Sequence, residues 1–170
     1  MNYANFGSEI GENMGGRGRT GSCRRGGRKI VQDIEKLLAQ GQTVQLSPRG
    51  YSMYPLFLPG RDQAVIAPLT RPPRRGDVVL YRREGSILVL HRVWRVRRGK
   101  FYAVGDHQQE VEGPLEMKCL RGVLVGVVRK GHEFRTSNPI YRLLTWIWLY
   151  LRPVRIPMMA AAARIKRAVR

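Results

Sequence analysis

The sequence predicts a mainly β protein: a small coiled β-sheet or barrel, preceded by a short helix and followed by an amphipathic helix. Three observations predict it. Between Thr43 and Lys130, short apolar runs are separated by joints rich in Gly and Pro, such as Pro59-Gly60 and Pro72-Pro73, the pattern of closely spaced strands. Ahead of them, Ile30, Val31, Ile34, Leu37 and Leu38 recur on one helical face. After them, the composition changes to Trp, Tyr and Leu over Pro139 to Arg152. The chain has 170 residues, 43% of them hydrophobic and 25% charged, enough for one domain with its own core.

The elements follow in order. Residues 1–27 are rich in Gly and Arg and lack an apolar stretch of the signal-peptide kind, so a disordered arm is expected. Residues 28–41 read as an amphipathic helix closed by Gly41 in the position after the cap. Residues 42–133 form the β-rich domain. Thr43 to Leu46 alternates, and Gln63 to Ala67 is a short apolar run. Asp77 to Arg82 and Ser86 to Val96 form a hairpin about Glu84-Gly85, and Phe101 to Val104 ends at Gly105-Asp106. Leu120 to Val128 is a last strand in which Gly122 and Gly126 mark kinks or bulges. Residues 138–170 form a basic amphipathic tail.

Charge narrows the choice of partner. With 31 Lys and Arg against 12 Asp and Glu, the net charge is +19, which suits nucleic acid or an anionic membrane surface. Tyr51, Tyr54, Trp94 and Tyr102 are candidates for base stacking, although no RNA-binding signature is present. The apolar part of the tail is too short to span a bilayer. Its Trp146, Trp148 and Tyr150, flanked by arginines, suit an interfacial helix, and the basic residues Arg164, Lys166, Arg167 and Arg170 supply a second membrane signal. Residues 139–170 are therefore expected to meet an anionic membrane surface, giving a peripheral or monotopic cell-membrane protein; the alternative is a cytoplasmic one. Cys23 and Cys119 are too far apart for a ligand cluster or disulfide framework. Cys119 reads as a small core residue, and no metal site is expected.

One stretch invites chemistry. In Pro48-Arg-Gly50-Tyr-Ser52-Met-Tyr-Pro55, Gly50 permits a positive φ and Pro55 stiffens the chain. Ser52 thus projects from a short non-helical mount. Of the three histidines, His132 and His107 fall in polar joints. His91 sits in the apolar strand Ile87 to Trp94, where burial would keep its imidazole neutral. A neutral imidazole beside a serine hydroxyl is what nucleophilic catalysis needs.

Taken in order, Gly50-Tyr-Ser52-Met-Tyr-Pro55, Gly76-Asp-Val-Val79, His91-Arg-Val93 and Gly105-Asp106 resemble the type I signal peptidase superfamily over residues 42 to 130. No lysine occurs between Gln42 and Gly99, so the chain is similar to the SipW-like and endoplasmic-reticulum branch, which uses histidine as base. It is also similar to small clostridial-type signal-peptidase-like proteins. The resemblance implies a coiled β-sheet of the signal peptidase and SOS-repressor protease type. It further implies a serine endopeptidase without a cofactor, acting on a peptide or precursor protein in signal-peptide processing. Ser52 would be the nucleophile, His91 the base and Asp106 the acid that orients it. The family's second acid would have to be Glu110 or Glu112. Gly50 stands where signal peptidases commonly carry a serine, which leaves the Ser52 backbone N–H as oxyanion donor. The N-terminal membrane anchor usual in signal peptidases is not expected here. Two alternatives remain: a regulatory autoprotease resembling SOS repressors, and a non-catalytic basic β-domain that binds nucleic acid or anionic membrane.

Overall fold

The structure, a computed structural model, describes residues 4–10, 33–83 and 87–151. The remainder of the Gly/Arg arm with Cys23, the start of the first helix, the turn at Glu84-Gly85 and the basic end of the tail lie outside the described residues.

The protein is mainly β. Among the described residues nine strands join one sheet: β1 (Ala4–Ile10), β2 (Val44–Pro48), β3 (Asp62–Ala67), β4 (Val78–Arg83), β5 (Ile87–Arg97), β6 (Lys100–Val104), β7 (Glu112–Glu116), β8 (Leu120–Arg129) and β9 (His132–Arg135). The order is β1-β2-β3-β8-β4-β5-β6-β7. One edge of β8 pairs with β3, while the other is shared by β4 near Val123 and by β9 from Gly126 to Arg129. All pairs are antiparallel except β1 with β2. At Gly122 of β8 a Cβ would stand 2.5 Å from Ile66 Cγ2 and 3.0 Å from Ala67 O of β3, so any larger residue would have to displace β3 atoms.

β1 corrects an expectation. Residues 4–10 were expected to be disordered, yet they pair in parallel with β2, Ala4 opposite Val44 and Ile10 opposite Pro48. An open strand edge offers backbone donors and acceptors to any extended segment, so pairing here needs no hydrophobic alternation.

α1 (residues 33–39) docks through Ile34 and Leu38, both buried with Val44, Leu46, Ile66, Leu80 and Leu88. Its end is a Schellman motif: Gly41 has φ 82°, Gly41 N–H donates to Leu38 O at 3.1 Å, and Gln42 N–H donates to Leu37 O at 3.0 Å. Glu35 accepts from Arg82 and from Arg121, which ties the helix to β4 and β8. The opposite face of the β4–β5–β6 ladder buries Val79, Tyr81, Val89, Val93, Phe101 and Ala103. Both faces of β5 are therefore covered, as its apolar run requires.

Two short strands were not foreseen. All four residues of β9 are exposed, so no alternation marks it. β7 contains Gly113-Pro114, which reads as a breaker. Cys119, expected in the core, is only half-buried, in a 3-10 turn (Met117–Cys119) before β8.

Residues 137–170 form a second unit. Within it, α2 (Pro139–Tyr150) starts at Asn138, whose side chain accepts from the Ile140 N–H at 2.9 Å, with proline in the first turn as expected.

Candidate functional site

Ser52 lies on the segment that follows β2. Gly50 takes φ 80° and the Tyr54–Pro55 peptide is cis. Met53 and Phe57 are buried in the main core and anchor the segment from below. Its far end is clamped by Asp62, which accepts from Leu58 N–H at 2.9 Å, from Arg61 and from Arg129. Arg129 also donates to Leu56 O at 3.0 Å. Burial alone would raise the Asp62 carboxyl, but these donors together hold it well below the usual carboxylate range.

Ser52 itself is half-buried, between exposed Tyr51 and buried Met53. It borders a cavity of about 30 Å³ that it shares with Gly50, Pro48 and residues Leu88 to Leu90 of β5. The Ser52 carbonyl accepts from the His107 N–H at 2.8 Å. That contact explains the glycine of Gly105-Asp106, because a Cβ at Gly105 would stand 2.6 Å from Ser52 O. Among the described residues no backbone carbonyl accepts from the Ser52 N–H.

The four short motifs converge through a buried ion pair. Arg92 donates to both oxygens of Asp106, at 2.8 and 2.7 Å, and to Gly76 O at 2.9 Å. Gly76 N–H donates to Val93 O, and Val93 N–H to Asp77 O, at 2.9 and 2.8 Å. The Gly-Asp-Val segment, the His-Arg strand, the Gly-Asp loop and the serine segment are thus linked contact by contact.

His91 immediately precedes Arg92 on β5 and faces the opposite side of the sheet, opposite Val79 of β4. Its side chain has no solvent exposure. Burial pulls its pKa down to about 4, against a partial upward pull from Glu112, so the imidazole is neutral at pH 7. Nδ1 stands 3.1 Å from Tyr81 Oη and 3.4 Å from Glu112 Oε1. Nε2 is buried with no hydrogen-bond partner. A buried nitrogen without a protein partner is costly and calls for a water, an ion or a reacting group; Tyr141 Oη and Thr145 Oγ1 of the second unit share that condition.

The carboxylate beside the imidazole is therefore Glu112, not Asp106. The resemblance put Asp106 in that role, but both its oxygens are taken by Arg92, whose side chain is fully buried and needs a counter-charge. Glu110 is exposed. Glu112 also accepts from Arg83 and, at 2.6 Å, from Tyr81 Oη. Tyr81 and Arg83 were not singled out in the sequence. The signal was present: Tyr81 stands two residues from Val79, the partner of His91, and therefore on the same face, within diagonal reach of it. His107 adds a second neighbour of the serine segment, its ring edge-on to Tyr54 with centroids 5.5 Å apart.

Other candidates for binding fare less well. Trp94 and Tyr102 each carry a guanidinium over the ring, Arg75 and Arg95, with carbons 4.7 and 4.8 Å from the centroids, so one face of each is covered; Tyr51 and Tyr54 are exposed. Among the described residues no group of His, Cys, Asp and Glu side chains is arranged to hold a metal ion. Comparison with family models, curated proteins and solved structures finds no match for this chain.

Proposed function

We propose that the chain is a serine endopeptidase with a Ser52/His91 pair, similar in chemistry to the histidine branch of the type I signal peptidase superfamily. The observation that carries this reading is the state of His91: buried, neutral, tethered at Nδ1 and unpartnered at Nε2. That is the condition of a general base awaiting a hydroxyl. Ser52 projects from a stiff segment whose cavity is lined by Leu88 to Leu90, just before His91. Its hydroxyl is not hydrogen-bonded to His91 Nε2 in this structure, so the proposed pair closes when substrate binds.

In the proposed reaction Ser52 Oγ attacks a peptide carbonyl and gives its proton to His91 Nε2. The Ser52 N–H faces the developing oxyanion. His91 then protonates the departing amine, and water repeats the sequence on the acyl-enzyme. The substrate is an extended peptide that adds to the sheet beside the serine segment. Asp106 acts at a distance, holding Arg92 and the Gly-Asp loop against Ser52. The test is cleavage of a peptide library, read by mass spectrometry, with wild type and Ser52→Ala. Cleavage by wild type alone is expected; equal cleavage by Ser52→Ala would remove Ser52 from the reaction.

The same proposal places the enzyme at an anionic membrane surface, where precursor proteins with signal peptides emerge. Its support is α2, on which Ile140, Leu143, Leu144, Trp146, Ile147 and Tyr150 are all exposed. At helical spacing these occupy one face, the arrangement of a helix that lies in the interface. Among the described residues no helix is long and apolar enough to cross a membrane.

A further inference from the structure

We propose that Tyr81 is a positioning residue that fixes which nitrogen of His91 carries the proton, acting between the imidazole and Glu112. The argument is one of counting hydrogens. Glu112 receives two Arg83 N–H groups, Nε to Oε2 at 3.2 Å and Nη2 to Oε1, and as a carboxylate it can only accept. Tyr81 Oη lies 2.6 Å from Glu112 Oε2, so the one hydroxyl hydrogen of Tyr81 is committed there. Towards His91, 3.1 Å away, the phenolic oxygen can then only accept. Nδ1 must carry the hydrogen, and Glu112 Oε1 at 3.4 Å is a second acceptor for it. A neutral ring has one N–H; with it on Nδ1, Nε2 holds the lone pair.

Burial, and then the bond to Glu112, raises the Tyr81 pKa. The hydroxyl accordingly keeps its hydrogen throughout the neutral range, as the chain Nδ1–H···Oη–H···Oε2 requires. The consequence for catalysis rests on the peptidase reading. When Nε2 takes the Ser52 proton, Nδ1–H of the resulting imidazolium still donates to Oη and Oη still donates to Oε2. No proton leaves Tyr81, and the new charge faces an ordered set of dipoles ending in a carboxylate. Three charged groups act on His91: Glu112 and Asp106 favour the imidazolium, and Arg83 opposes it.

The chain of donors can be reversed. In Glu112→Gln, Arg83 continues to donate to the side-chain oxygen, which turns the new amide nitrogen towards Tyr81. Oη then accepts from the amide and points its hydrogen at Nδ1, and the His91 proton moves to Nε2. In Tyr81→Phe the acceptor is lost and only the 3.4 Å contact to Glu112 Oε1 still favours Nδ1–H, so both tautomers become populated.

The experiment is nitrogen NMR of the histidine rings in the full chain at pH 7, where protonated and unprotonated ring nitrogens are well separated. Wild type is expected to show His91 with Nδ1–H and unprotonated Nε2. Tyr81→Phe should average the two signals, and Glu112→Gln should exchange them. A wild-type ring protonated at Nε2 overturns the proposal, as does a Glu112→Gln ring still protonated at Nδ1. Because this readout needs no activity, a locked tautomer without Ser52-dependent cleavage would sink the peptidase reading alone. If both stand, Glu112→Gln should lose on the order of 10²-fold or more in kcat, the range for general acid–base catalysis, with KM little changed.

Discussion

Replacing Asp106 with alanine should destabilise the protein strongly, whatever it does to catalysis. Arg92 and Asp106 are both withdrawn from solvent, with side-chain exposures of 0% and 1%. The substitution removes two charge-assisted hydrogen bonds of 2.8 and 2.7 Å. It takes the Asp106 counter-charge from the guanidinium, which keeps its bond to Gly76 O at 2.9 Å. A buried charge deprived of its partner costs about 3–5 kcal/mol, against a native margin of about 5–15 kcal/mol. With a urea slope of about 1–3 kcal/mol/M, the unfolding midpoint should fall by at least about 1 M, followed through tryptophan fluorescence. The double variant Arg92→Met with Asp106→Ala, which removes both charges, should recover much of the loss. An Asp106→Ala protein with an unchanged midpoint would refute the structural role argued for this pair. If it were also stable but inactive, Asp106 would regain the orienting role that the sequence resemblance implied.

Other outcomes follow from the same geometry. His91 has its pKa lowered from 6.5 to about 4, so between those values the unfolded chain binds more protons than the folded one. Its contribution is full above pH 6.5 and is lost as pH falls to about 4, about 3 kcal/mol in all; His91→Gln should flatten that slope in urea titrations. The acid limb of kcat/KM should have its midpoint near the same low value instead of near 6.5, and a limb near 6.5 would show that the base is a more solvated histidine. Gly105→Ala forces a carbon to within 2.6 Å of Ser52 O and 2.7 Å of Gln108 Oε1; it should cost about 1–3 kcal/mol and displace the serine segment, seen as loss of both stability and cleavage. Leu143→Ser with Trp146→Ser should weaken sedimentation with anionic vesicles while leaving the unfolding midpoint of the β-sheet unchanged; undiminished binding would remove α2 from the membrane contact.

The legible part of this fold was the part in which side chains carry the pattern. Apolar runs bounded by Gly and Pro located β2 to β6 and β8, and one apolar face located α1. β9 and β1 escaped because backbone pairing along an open edge imposes no periodicity on side chains. The site divides in the same way. Ser52 stood out through the turn chemistry around it, and His91 through its apolar surroundings. The acid was one of three candidates, Asp106, Glu110 and Glu112, and the choice depends on how β7 closes beside β6, where Ala103 pairs with Glu112 across the loop that carries the other two. Asp106 was the natural candidate from its motif, but its partner was decided by the arginine next to His91: a buried guanidinium claims the nearest carboxylate. Tyr81 was hidden by the strand it belongs to, since an aromatic residue in an apolar run reads as core until its hydroxyl is placed.

The central claim is that Ser52 is a nucleophile activated by His91, and covalent capture tests it most directly. The purified chain is exposed to a fluorophosphonate, which reacts with activated serines, and the modified residue is located by peptide mass spectrometry. The account predicts one adduct on Ser52, lost in Ser52→Ala and strongly reduced in a folded His91→Gln protein. An adduct on another serine, or labelling of Ser52 that is indifferent to His91, would contradict it.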